Sequence, residues 1–114
     1  MHPERHWEPD AAAHLCDAFV CANDRIAGRC MQALAAAGFR IPCDFRIVGI
    51  DDVHYASLLP VPLTTVRQPC REIGETAMRV MLDRLAHPKM PARDILLDCT
   101  LVIRESSRVA KLDI

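Results

Sequence analysis

Two short polar pairs, Asn23-Asp24 and Asp51-Asp52, each follow directly on an apolar run, Asp17 to Ala22 for the first and Phe45 to Ile50 for the second. Carboxylates accept strong hydrogen bonds from hydroxyl groups, and an asparagine amide both donates and accepts. Delivered to one crevice, these groups suit a neutral polyhydroxylated ligand such as a sugar or a nucleoside. Each pair also has a purely local reading, with Asn23 or Asp24 as a helix cap and Asp51-Asp52 as turn formers. Asp51, nearer its apolar run, is expected to face the crevice more directly, leaving its neighbour to the turn.

Other constellations are poorer. Asp51, Asp52 and His54 lie close in sequence, yet no second histidine stands at ligand spacing, so neither a metal site nor an acid–base cluster is expected. Ser57, Ser106 and Ser107 lack the glycine-flanked elbow of a serine nucleophile, and four glycines form no phosphate loop. No pattern demands a reaction. The expectation is a binding protein, not an enzyme, with no catalytic residue, metal or cofactor.

The elements that must position these groups follow from punctuation and period. Asp17 to Ala22, apolar on consecutive residues, reads as a strand buried on both faces. A helix should begin at Asn23 or Asp24, carry an apolar stripe of Ile26, Cys30, Met31 and Leu34, and end at Gly38. Phe45 to Ile50 is the next strand, which makes strand, helix, strand: a crossover unit of a parallel sheet. In such sheets ligands bind beyond the carboxyl ends of the strands, where both polar pairs fall. Val53 to Pro62 reads as a loop and Leu63 to Val66 as a strand. A second helix starts at Pro69, with Ile73, Ala77, Val80, Met81 and Leu85 on one face. Ile95 to Leu97 and Leu101 to Ile103 read as short strands. Residues 1–16 are expected to be a poorly ordered lead-in or the end of a helix, 17–107 the folded portion, and the polar stretch from Arg104, ending in a tail at 108–114, to fray.

Length and composition agree with this outline. The 114 residues are 51% hydrophobic and 25% charged, enough for one core and too apolar for a disordered chain. A net charge of −1 offers no basis for gripping a polyanion, so no direct nucleic-acid contact is expected. No apolar run reaches the roughly 18 residues of a membrane span, and the opening residues do not read as an export signal, which makes cytoplasm the expected compartment. Six cysteines stand at 16, 21, 30, 43, 70 and 99 without a Cys-x-x-Cys pair. Several fall in apolar segments, and reduced structural thiols are expected.

Phe19-Val20-Cys21-Ala22-Asn23-Asp24, the alanine-rich helix after it, and Ile41 through Asp52 resemble the effector-binding domain of the LacI/GalR family of bacterial transcription regulators. The resemblance continues through Pro62-Leu63-Thr64-Thr65-Val66-Arg67-Gln68-Pro69 and Glu72-Ile73-Gly74, and ends at Leu101-Val102-Ile103-Arg104-Glu105-Ser106. It implies a partial periplasmic-binding-protein-like α/β fold, a parallel sheet with flanking helices: mainly the C-terminal subdomain plus one helix of the N-terminal one. By this likeness the effector lies between two subdomains joined by crossing strands, Thr65–Pro69 being one of them. Effector contacts of the family carry over to Asn23 and Asp51. Gln68 is a third candidate, and Cys70 stands where relatives place a ligand-facing side chain. The helix of Asp24 and the segment Ala56–Pro62 correspond to a dimer interface, which implies a homodimer, although Gly28-Arg29 departs from the usual residues there.

The helix-turn-helix headpiece and most of the N-terminal subdomain have no counterpart in these residues. The function expected is therefore that of an effector-sensing fragment, for a sugar-like or nucleoside-like small molecule, of a LacI-type DNA-binding regulator. The alternatives are a solute-binding component of a sugar transporter, which would need an export signal, and a truncated remnant without function.

Overall fold

The computed structural model describes residues 17–108. Strand β1 (Ala18–Val20) is followed by helix α1 (Asp24–Ala36), β2 (Arg46–Ile50) and a 3-10 turn at His54–Ser57. Then come β3 (Thr64–Arg67), helix α2 (Cys70–Ala86), β4 (Thr100–Val102) and a last 3-10 turn at Glu105–Ser107. The four strands form one sheet in the order β1-β2-β3-β4. The first three run parallel and β4 antiparallel to β3. This is the expected α/β fold with a mostly parallel sheet.

Helix α1 shows why its ends fall where they do. Asn23 has extended backbone angles, and its Oδ1 accepts from the Ile26 amide at 2.9 Å, satisfying a free donor of the first turn. At the other end Gly38 has a φ of 86°, while the Phe39 and Gly38 amides donate to the Leu34 and Ala35 carbonyls. That pair of bonds is a Schellman cap, which glycine enters without a Cβ penalty. The buried face is Asp24, Ala27, Met31 and Leu34. Ile26, expected in the stripe, is exposed. Met31 and Leu34 of the expected stripe are buried and Cys30 packs against the core, while at the start of the helix Asp24 and Ala27 take the inward positions.

The core lies between α1 and the sheet: Ile47, Leu63, Ala27 and Ala56 are fully buried, with Phe45 beside them. Phe45 meets Phe39 edge-on at 5.0 Å and Phe19 at 5.5 Å. On β2, Ile47 and Gly49 are buried while Arg46, Val48 and Ile50 are half-buried, the period of two expected of a sheet covered on one side. Strands β1 and β2 are thus not buried on both faces as their apolar runs suggested, whereas consecutive Thr64 and Thr65 of β3 are both buried. Val20, at the end of edge strand β1, is 78% exposed.

Three further expectations need correction. Helix α2 forms with Pro69 at its start, but none of its residues is buried, and Leu85 on its apolar face is 70% exposed. Ile95–Leu97 is not a strand: it runs along α2, the two forming an open groove of about 600 Å³, and among the described residues no strand pairs with it. Arg104 to Ser107 does not fray. Ser106 is fully buried, accepting from the Thr64 amide at 2.8 Å and donating to the Ile47 carbonyl at 2.6 Å. The lead-in at 1–16, the tail beyond Arg108 and Cys16 lie outside the described residues. Cys21, Cys30, Cys43, Cys70 and Cys99 are free thiols. Among the described residues no helix is long and apolar enough to cross a membrane.

Candidate functional site

Parallel pairing brings the two polar pairs to one edge. Ala18 is paired with Arg46 and Val20 with Val48, an offset that, carried forward, sets Asn23 against Asp51. Beyond the paired residues the Cys21 amide still donates to the Val48 carbonyl at 2.8 Å. Asn23 then turns away as the cap of α1, half-exposed, its Oδ1 occupied by the Ile26 amide. Its local role is therefore real, and its amide nitrogen makes no hydrogen bond among the described residues.

Asp51 follows β2 and is exposed. Its amide donates to the Val66 carbonyl at 2.9 Å, extending the β2–β3 ladder by one bond. Its Oδ1 accepts from Gln68 Nε2 at 2.7 Å. Gln68, half-buried just past β3, is thus brought directly onto Asp51, and neither the second carboxylate oxygen nor the Gln68 amide oxygen makes a hydrogen bond among the described residues. Cys70 begins α2, exposed, with its amide on the Gln68 carbonyl at 2.9 Å. The structure joins Asp51 to Gln68 and sets Cys70 beside them; Asn23 shares the edge without bonding to any of the three.

The turn that presents Asp51 is held from several sides. Asp51 has a φ of 118° and Asp52 of 54°, conformations that cost a non-glycine residue on the order of 1–3 kcal/mol unless the surroundings impose them. The Asp52 carboxylate faces inward, bonded to Arg104 Nη2 at 2.7 Å and Arg67 Nε at 2.6 Å. Burial alone would raise this carboxyl, but the hydrogen bonds and charges of Arg104 and Arg67 outweigh it and hold it below the usual carboxylate range. The Asp52 amide donates to Thr65 Oγ1 at 3.2 Å, and the Val53 amide to Asp24 Oδ2 at 2.9 Å. Asp52 therefore serves the turn, as one member of the pair was expected to do. Among the described residues no three His, Cys, Asp or Glu side chains gather in a metal-binding group.

Sequence reasoning missed Thr65, Arg67 and Arg104 in this assembly. Arg104 opens the polar stretch expected to fray, and nothing in a single sequence pairs it with a position 52 residues earlier. The site is an open floor, not an enclosed pocket. Neither the groove along α2, which reaches Pro69, nor a second hollow of about 370 Å³ beside Met31, Phe39 and Leu59 is lined by Asn23, Asp51 or Gln68.

A family model described as a periplasmic binding protein-like domain matches residues 2–107. The chain belongs to that family. The ribose operon repressor of Haemophilus influenzae is 40% identical over 89 residues, covering 78% of this chain and 27% of the repressor. A LacI family regulator from Enterococcus faecium with bound ribose superposes with a TM-score of 0.73 at 27% identity, over 90% of this chain and 38% of its own. The lac repressor dimer bound to operator and the anti-inducer ONPF gives 0.74 at 32% identity, over 82% and 28%. Within the periplasmic binding protein-like family, then, the chain is similar to the sensor portion of LacI-type repressors. It spans about a quarter of the length of such a relative.

Proposed function

We propose that this chain is the effector-sensing part of a LacI-type transcriptional regulator, binding a sugar-like or nucleoside-like molecule on a floor made by Asn23, Asp51 and Gln68, with Cys70 at its rim. The observation that carries this reading is the hydrogen bond between Gln68 and Asp51 beyond the carboxyl edge of parallel strands, the place where open α/β sheets bind ligands. A charge-bearing acceptor and two amides match hydroxyl groups and do not assemble a nucleophile or a proton relay, so the role is binding, without turnover. Effector binding would shift the cleft between states and hence operator affinity, the DNA being contacted by a part other than these residues. Cytoplasmic action and a homodimer through α1 and the 56–62 segment complete the proposal.

The test is a thermal-shift screen with ribose, other pentoses, hexoses and nucleosides on the chain extended at its amino terminus to the length of its relatives. A raised midpoint with one of these, and its weakening by about 1–3 kcal/mol in Asp51→Ala, is the expected result. Unchanged affinity in that variant removes Asp51 from the site. Catalytic turnover of the bound molecule would favour an enzyme instead.

A further inference from the structure

Asp24 is fully buried, an expensive place for a carboxylate. Capping does not explain it, because Asn23 already caps α1. Nor does the helix dipole, since an acid exposed in the first turn would satisfy that equally. The packing around it is specific. A Cβ at Gly49 would lie 2.2 Å from Asp24 Oδ1 and 3.2 Å from Asp24 Cα, so only glycine on β2 leaves room for the carboxylate. Asp24 Oδ1 accepts from Thr65 Oγ1 at 2.5 Å, and Thr65 is itself fully buried. The other oxygen accepts from the Val53 amide, while Thr65 Oγ1 accepts from the Asp52 amide.

We infer that Asp24 is a positioning residue for the ligand floor, gripping the Asp51-Asp52-Val53 turn through Thr65 and two backbone amides. This rests on the reading of Asn23 and Asp51 as ligand-facing. One end of the grip is the residue adjoining Asn23, and the other is the peptide that aims Asp51 at Gln68. The carboxylate therefore ties the first turn of α1 to the turn after β2, and both ligand groups move as one piece. Thr65 is the relay: its single hydroxyl hydrogen goes to Asp24 and its lone pair to the Asp52 amide.

Thr65→Val removes the hydroxyl at nearly constant shape, and Thr65→Ser restores it. Measured by NMR on the 114-residue chain, the Asp52 amide should exchange at least about tenfold faster in Thr65→Val, while the Cys21 amide on the Val48 carbonyl keeps its protection. The side-chain amide protons of Gln68 should move toward solvent-exposed shifts in the same variant. Thr65→Ser should return both to wild-type values, a rescue that loss of general packing would not show. Asp24→Asn, which keeps one acceptor and gains a donor, should expose either the Val53 or the Asp52 amide. Two results overturn the inference: Asp52 and Val53 amides unprotected in the wild-type chain, or exchange and Gln68 shifts unaltered by Thr65→Val. Neither readout needs an effector, so a failed ligand screen and a failed positioning test are distinguishable.

Discussion

Arg104 and Asp52 meet at 2.7 Å across 52 residues of chain, and the same guanidinium donates through Nη1 to the Leu63 carbonyl at 3.0 Å. One side chain from beyond the last strand thus braces both the start of β3 and the turn that carries Asp51. With side-chain exposures of 8% for Asp52 and 18% for Arg104, the pair is largely withdrawn from water. Arg104→Ala should cost about 1–3 kcal/mol in urea unfolding, from the lost bonds to Asp52 and to the Leu63 carbonyl, while Arg67 still pairs Asp52. Combined with Asp52→Asn it should cost less than the sum of the two single changes, giving a non-additive double-mutant cycle.

The same pair predicts how stability follows acidity. The Asp52 carboxyl titrates below its ordinary value in the folded chain. Its contribution is therefore complete above the unfolded value of about 3.9 and is lost as the pH falls through the lower folded one. Urea midpoints recorded from neutral to acidic pH should fall less steeply in Asp52→Asn than in wild type over that acid range. Parallel curves would show that Asp52 is not the group responsible.

Two glycines should respond to alanine with opposite signs. Gly49→Ala drives a Cβ into Asp24 and should destabilise by about 3 kcal/mol or more, beyond ordinary overpacking because backbone lies in the way. Gly74, within α2, has nothing within 4 Å of an added Cβ. Gly74→Ala should instead raise helix content and stabilise α2 by roughly 0.5–1 kcal/mol. Circular dichroism during unfolding reads both.

Ser106→Ala leaves the buried Thr64 amide without its acceptor and the Ile47 carbonyl without the serine hydroxyl. A loss of about 1–3 kcal/mol is expected, although the position looks like polar tail in sequence. Ser107→Ala, next to it and half-buried, should cost less. Equal costs for the two would mean that Ser106 does not lock β2 to β3.

Much of the architecture was legible. Apolar runs ended by Asn23-Asp24 and Asp51-Asp52, with a capped helix between, prescribe a crossover, and the crossover prescribes where both pairs emerge. Local punctuation works here because caps and turns are decided by near neighbours. Burial was less legible: Ile26 and Ala27 are adjacent on α1, and it is the smaller, less apolar one that packs inward, beside Asp24. The division of labour in Asp51-Asp52 followed from distance to the strand, but Arg67, Thr65 and Arg104 are joined to it only through the sheet. The composition of Ile95–Leu97 suits a strand, but the segment pairs with none of the four described strands.

Among the described residues helix α2 adds no buried side chain to the core, its apolar face meeting only the open groove along 95–97. Without a well-packed face, a helix of this length is only marginally stable in water. Its melting should therefore be uncoupled from that of the β-sheet nucleus, so that ellipticity near 222 nm begins to fall while the near-ultraviolet signature of the Phe39–Phe45 contact persists. For this chain a single unfolding free energy would describe two events, one belonging to the scaffold and the other to an appendage.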